Sequence, residues 1–146
     1  AKRFAITTLD KYIEGRLGLV IDSTGRDYDM IARQHNQLTN LGYDCYMIFV
    51  NTSLEVALAR NARRERTIPE YITTNSWNGV QSNIGKFQRL FGMSNFLVVD
   101  NNKSDLELTT LTMNRVSKVV RKLISAPIQS YTAKRWMASE RKARRR

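Results

Sequence analysis

Two stretches of this 146-residue chain carry side chains that could do chemistry. The first is Asp22-Ser23-Thr24-Gly25-Arg26, a carboxylate, two hydroxyls and a guanidinium packed into one short turn. A carboxylate can orient or accept the proton of an attacking hydroxyl, and a guanidinium can hold a phosphate through paired N–H donors. The second stretch carries Arg60, Arg63, Arg64 and Arg66, interrupted only by Glu65 and a few neutral residues. Residues three and four apart share a helix face, so on a helix Arg60, Arg63 and Arg64 project together, with Arg66 a turn beyond Arg63. Like charges at that spacing repel one another unless an anion lies among them. Both stretches also have plainer readings. Asp and Ser are ordinary turn and N-cap residues, and the arginines could be a solvated surface partnered by Glu55 and Glu65.

The elements that would position these groups follow from the hydrophobic pattern. Leu17–Asp22 is an apolar run bounded by a turn, which predicts a buried strand. Tyr43–Val50 and Asn95–Val99 read the same way, the latter followed by Asp100, Asn101 and Asn102. Helices are predicted over Ala1–Gly15 with Gly15 as C′ residue, Asp27–Leu41 stopping at Gly42, and from a Thr52 or Ser53 cap through the arginines. Pro69 breaks that helix, and another runs from Glu70 to Phe91 with Ile72, Trp77, Val80, Ile84, Phe87 and Phe91 on one stripe. Ser104 with Glu107 forms a capping box for Asp105–Ile124. Strands alternating with helices predict an α/β three-layer domain with a small parallel sheet over residues 1–126. In such sheets ligands sit beyond the carboxyl ends of the strands, where Asp22, Thr24 and Arg26 would lie. Residues 127–146 read as a basic C-terminal tail, beginning at Pro127, in which charge outweighs buried area.

Composition bounds the function. The hydrophobic content of 42% is that of a folded domain, and no apolar stretch is long enough to span a bilayer. A single cysteine excludes an internal disulfide, and Cys45, within an apolar run, reads as a buried, inert thiol. His35 is the only histidine, so a metal role is not supported and no metal ligands are assigned. With no secretory signal, a cytoplasmic setting is expected. The net charge of +11 is local: from Arg115 onward there are eleven Lys and Arg against Glu140 alone. Such a stretch, with Tyr131 and Trp136 interleaved, predicts salt-sensitive contact with nucleic acid; the alternative is a solubilising end.

Set side by side, these motifs resemble P-loop kinases of the zeta-toxin and phage polynucleotide-kinase-like group, over about Thr7 to Asn101. Leu19 to Arg26 is similar to that group's acid-x-Thr-x-Arg segment, which positions the phosphate acceptor. Gly42 to Val50 resembles the "Gly-Tyr, then apolar strand" unit that follows, and Leu54 to Arg66 the arm entering the lid. Val98-Val99-Asp100-Asn101 resembles the last strand and the loop near the adenine. The family's G-x-x-x-x-G-K-[ST] loop and the strand before it have no counterpart in these residues. The chain thus resembles the C-terminal two-thirds of such a kinase.

The resemblance implies an ATP- and Mg²⁺-dependent phosphotransferase acting on a hydroxyl of a nucleotide, a nucleic-acid end or a sugar nucleotide. Asp22 would act on the attacking hydroxyl, and Thr24 and Arg26 would hold the acceptor. Arg60, Arg63, Arg64 and Arg66 would neutralise the transferred phosphoryl group. Arg60 and Arg64, with Asn101 and Asn102, would bind the nucleotide. The implied partners are a nucleotide or phosphorylated small molecule and an N-terminal half bearing the P-loop, without which no turnover is expected; a phage protein working in its host's cytoplasm fits this picture. The alternative is a non-catalytic nucleic-acid-binding or assembly protein using its basic tail.

Overall fold

A computed structural model describes residues 2–102 and 106–145. Six helices and two strands follow in the order α1 (Lys2–Glu14), α2 (Tyr28–Asn40), β1 (Met47–Asn51), α3 (Leu54–Ala62), α4 (Glu70–Phe91), β2 (Phe96–Asp100), α5 (Leu106–Ile124) and α6 (Tyr131–Ala143). The strands pair in parallel and in register, from Met47 with Phe96 to Asn51 with Asp100. Paired residues of a parallel sheet face the same side, so the sheet is covered differently on its two faces. One face presents Phe49 to Ile31 of α2 and Phe87 of α4, the buried centre of the core, with Tyr28, Met47, Val80, Ile84, Phe91 and Phe96 around it. The other presents Ile48, Val50 and Val99 to Thr112, Met113 and Val116 of α5. Helix, sheet and helix make the α/β three-layer arrangement.

The sheet has two strands among the described residues, not three. Residues 17–22 form no ladder. Val20 is fully exposed, and Leu17 and Ile21 are 51% and 43% exposed. An apolar run becomes a strand only where a neighbour accepts its N–H and C=O groups, and β1 is paired only with β2. The segment is tethered at its ends instead. The Tyr43 hydroxyl donates to the Leu17 carbonyl at 3.1 Å, and Gly25 sits buried against Phe87, Val80 and Phe49.

Helix ends follow local rules with one departure. Asp27 and Ser53 cap α2 and α3, accepting from the Met30 and Val56 amides. Gly42, at φ 100°, ends α2 with its amide on Thr39 and that of Tyr43 on Leu38. At the end of α1 it is Arg16, not Gly15, that takes the left-handed conformation, at φ 52°. The Arg16 and Leu17 amides reach back to the carbonyls of Ile13 and Tyr12, a Schellman closure with Arg16 at C′. Its side chain has a use for the position: the guanidinium donates to the Leu41 carbonyl and lies 5.7 Å from the centre of the Trp136 ring. The capping box expected at Ser104 and Glu107 lies outside the described residues.

Beyond Pro127 the chain is helical rather than a bare charged end. Ser130 caps α6, accepting from the Ala133 amide. Ala133 lies against Gly42, and the Gln129 amide donates to Asp44. The helix therefore docks where α2 turns into β1.

Candidate functional site

The site is built on α4, which divides its surface among three neighbours. Val80, Ile84, Phe87 and Phe91 face the core. Trp77 and Gln81, one turn apart, hold the carboxyl end of β1: the indole N–H donates to the Thr52 carbonyl at 2.8 Å and the Gln81 amide to Asn51 Oδ1 at 2.8 Å. Gly79, Asn83 and Lys86, at helical spacing of four and three, form a third stripe against residues 24–29.

Asn83 is the pivot. It is 4% exposed, and its side-chain amide donates to the Gly25 carbonyl at 3.2 Å and the Arg26 carbonyl at 2.9 Å. Gly25 takes φ 73°, a conformation that strains other residues, and a Cβ there would reach the Phe87, Val80 and Phe49 side chains. The turn from Ser23 to Arg26 is thus pressed onto the core by its glycine and clamped from above by Asn83.

Beside this clamp lies a wide, open cleft of about 620 Å³. Thr24, Arg26, Asp27, Tyr28 and Asp29 form one wall, and Asn83 and Lys86 the other. Of the first motif, Thr24 and Arg26 reach the cleft. Ser23 is spent on the turn, accepting from the Gly25 amide at 3.3 Å, as the plainer reading of that residue holds. Asp22 is exposed just before the turn and does not line the cleft. Asp27 uses Oδ1 to cap α2. Sequence reasoning missed Asn83 and Lys86, although a buried-side asparagine inside the apolar series Val80, Ile84, Phe87 was a visible irregularity.

The arginines are arranged differently from the helical expectation. The α3 helix ends at Ala62, so only Arg60 stands on it, while Arg63 is its C-cap and Arg64 and Arg66 lie in the loop beyond. The cause is Asn61, 7% exposed, whose amide donates to the Ile68 carbonyl at 2.7 Å and accepts from the Ile68 amide at 3.1 Å. That two-point staple pinches residues 62–67 into a closed loop, which displays Arg63, Arg64 and Arg66 to solvent. None of the four arginines lines the cleft.

Asn102 locks the loops that leave the two strands. Its Oδ1 accepts from the Ser53 amide at 2.6 Å, and its amide donates to Asp100 at 2.6 Å. The Asn101 backbone amide donates to the Asn51 carbonyl at 2.9 Å, and the residue lines the gap between the sheet and α5. Because Ser53 caps α3, the arginine loop stands about one nine-residue helix away, roughly 13 Å at the α-helical rise.

The remaining titratable candidates lie elsewhere. His35 packs edge-on against Phe91, with ring centres 4.6 Å apart. Burial pushes the Cys45 thiol above its ordinary pKa, opposed by the Thr39 hydroxyl and reinforced by Asp44. Tyr46 is raised by desolvation and by its neighbours Asp44 and Cys45. Among the described residues no group of three or more His, Cys, Asp or Glu could hold a metal ion, and no helix is long and apolar enough to cross a membrane.

No curated protein and no solved structure matches the chain. The model of one family does: it is described as zeta toxin and matches residues 1–110, a span that contains the cleft, the arginine loop and both strands. The chain belongs to the zeta toxin family, whose members are P-loop-kinase-like phosphotransferases.

Proposed function

We propose that this chain carries the acceptor-binding and charge-neutralising parts of an ATP-dependent phosphotransferase. The observation that carries the reading is the Asn83 clamp, which fixes Thr24 and Arg26 on the wall of one cleft. Thr24 would bond the acceptor and Arg26 would hold its anionic group. Asp22, one residue before the turn, would orient the attacking hydroxyl of a nucleotide, nucleic-acid end or sugar nucleotide once substrate draws it in. Arg60, Arg63, Arg64 and Arg66 would neutralise charge on the ATP phosphates, the main requirement of phosphoryl transfer. Closure must bring their loop toward the cleft, as lid motions do in enzymes that exclude water during transfer. Asn101 would lie near the base, with Asn102 holding the loop that carries it.

Zeta-toxin-like kinases generally use ATP and Mg²⁺. The arginine loop suits polyphosphate in charge and hydrogen-bond donors. The sequence lacks the P-loop Ser or Thr that would help hold Mg²⁺, and among the described residues no group of three or more His, Cys, Asp or Glu could hold a metal ion. Turnover is therefore expected only with a P-loop segment.

Calorimetric titration of ATP and inorganic polyphosphate tests this reading, using the chain and a form carrying a family P-loop segment fused ahead of Ala1. Binding that weakens in Arg60→Ala and Arg63→Ala, with transfer from labelled ATP only in the fused form, is the expected result. Absence of ATP affinity in both forms would overturn it.

A second reading rests on α6. Lys134, Arg135, Arg141 and Lys142 are exposed on that helix, which docks at Gly42 and Asp44, ahead of the amino end of β1. Nucleic acid would bind there separately from the cleft. Its affinity should fall steeply with salt, by about 0.9 in logarithmic slope per phosphate contacted. A salt slope unchanged by deletion of residues 131–146 would refute it.

A further inference from the structure

The acceptor cleft contains a cation that no motif announced. Lys86 is exposed on α4, its Nζ 5.5 Å from the centre of the Tyr28 ring, and that ring packs 5.5 Å from the ring of the fully buried Phe87. The ammonium therefore stands over an anchored aromatic surface in the same cleft that Arg26 lines. Arg26 also lies against α4: a Cβ at Gly79 would lie 3.4 Å from Arg26 Cγ, at van der Waals contact with its stem. Along one stripe, then, α4 meets the stem of Arg26 at 79, clamps its backbone from 83 and adds a second positive charge at 86.

The charges in the cleft are mixed, which narrows the ligand. Asp29 and the remaining oxygen of Asp27 share the cleft with Arg26 and Lys86. Carboxylates repel a bare anion but accept hydrogen bonds from hydroxyls. A ligand that satisfies both sets carries a phosphate at one end and hydroxyls at the other. We infer that Lys86 is a substrate-binding residue, gripping together with Arg26 the phosphate of a phosphorylated polyol. This rests on the acceptor reading of the cleft.

Ribose 5-phosphate and ribose, titrated separately onto the full chain by calorimetry with NMR mapping of the amides of residues 24–29 and 79–86, test the inference. Ribose 5-phosphate should bind more tightly than ribose and shift both sets of amides. Lys86→Ala should weaken ribose 5-phosphate about tenfold, the loss of one charge-assisted bond, and leave ribose unmoved. Lys86→Arg should restore most of the affinity. If Arg26→Ala abolishes ribose 5-phosphate binding while Lys86→Ala leaves it intact, the inference fails and the acceptor reading stands. If ribose 5-phosphate binds no better than ribose, or does not move the cleft amides, both fail together.

Discussion

Gly42 and Ala133 meet backbone to backbone: a Cβ on Gly42 would lie 2.8 Å from the Ala133 nitrogen. The contact joins the end of α2 to the first turn of α6, and the Arg16 guanidinium over Trp136 braces the same junction.

Gly42→Ala should therefore destabilise the protein on two counts. The left-handed conformation at φ 100° costs a side-chain-bearing residue about 1–2 kcal/mol, and the new methyl must push α6 away. Deleting residues 131–146 should also lower Tm by several degrees, because it exposes the surface around Gly42, Asp44 and Arg16. Differential scanning calorimetry decides the matter; a truncated chain melting with the intact one would show that α6 contributes charge alone.

Asn83→Ala should loosen the cleft without touching the apolar core. The Gly25 and Arg26 carbonyls would lose their side-chain donor, at a cost of about 1–3 kcal/mol. Urea unfolding should show a lower midpoint at unchanged slope. Ribose 5-phosphate binding should weaken as well, since Thr24 and Arg26 would no longer be held. Asn83→Asp keeps the volume but cannot donate while ionised, so it should not rescue either property.

The arginine loop depends on Asn61. Asn61→Ala removes both bonds to Ile68, and hydrogen exchange at the Ile68 amide should accelerate roughly tenfold as that closure is lost. Amides within α3 should be little affected. Under the proposed function, polyphosphate affinity should fall with the loop's order even though all four guanidiniums remain. Unchanged exchange at Ile68 would mean that the staple does not hold the loop.

Cys45 should behave as a structural thiol. Its pKa is raised chiefly by burial, so the thiolate is scarcer than in a free cysteine at the same pH, and alkylation by iodoacetamide should be slower. The sign for stability follows. The folded state holds the thiol proton more tightly than the unfolded chain, so this contribution is complete below the ordinary thiol pKa. It is lost as pH rises from that value to the raised one. Cys45→Ser should flatten that alkaline limb of the stability curve, as read by denaturation at a series of pH values.

What the residues determined alone is local. Asp27, Ser53, Gly42 and Gly92 mark helix ends where capping chemistry and glycine's freedom act within a few residues, and the apolar runs Met47–Asn51 and Phe96–Asp100 became strands because each found the other. The Ser-Thr-Gly turn and its Arg26 were legible for the same reason: type and order suffice to define a turn. Tertiary contact decided the rest. Residues 17–22 have the pattern of a strand but not the neighbour, and a ladder is a property of two segments. The arginine helix stops early because Asn61, whose period on α3 predicts nothing special, finds Ile68 across a loop. Asn83 and Lys86 joined the site because α4 crosses the turn at their stripe, a meeting of residues 57 or 58 positions apart that no local spacing encodes.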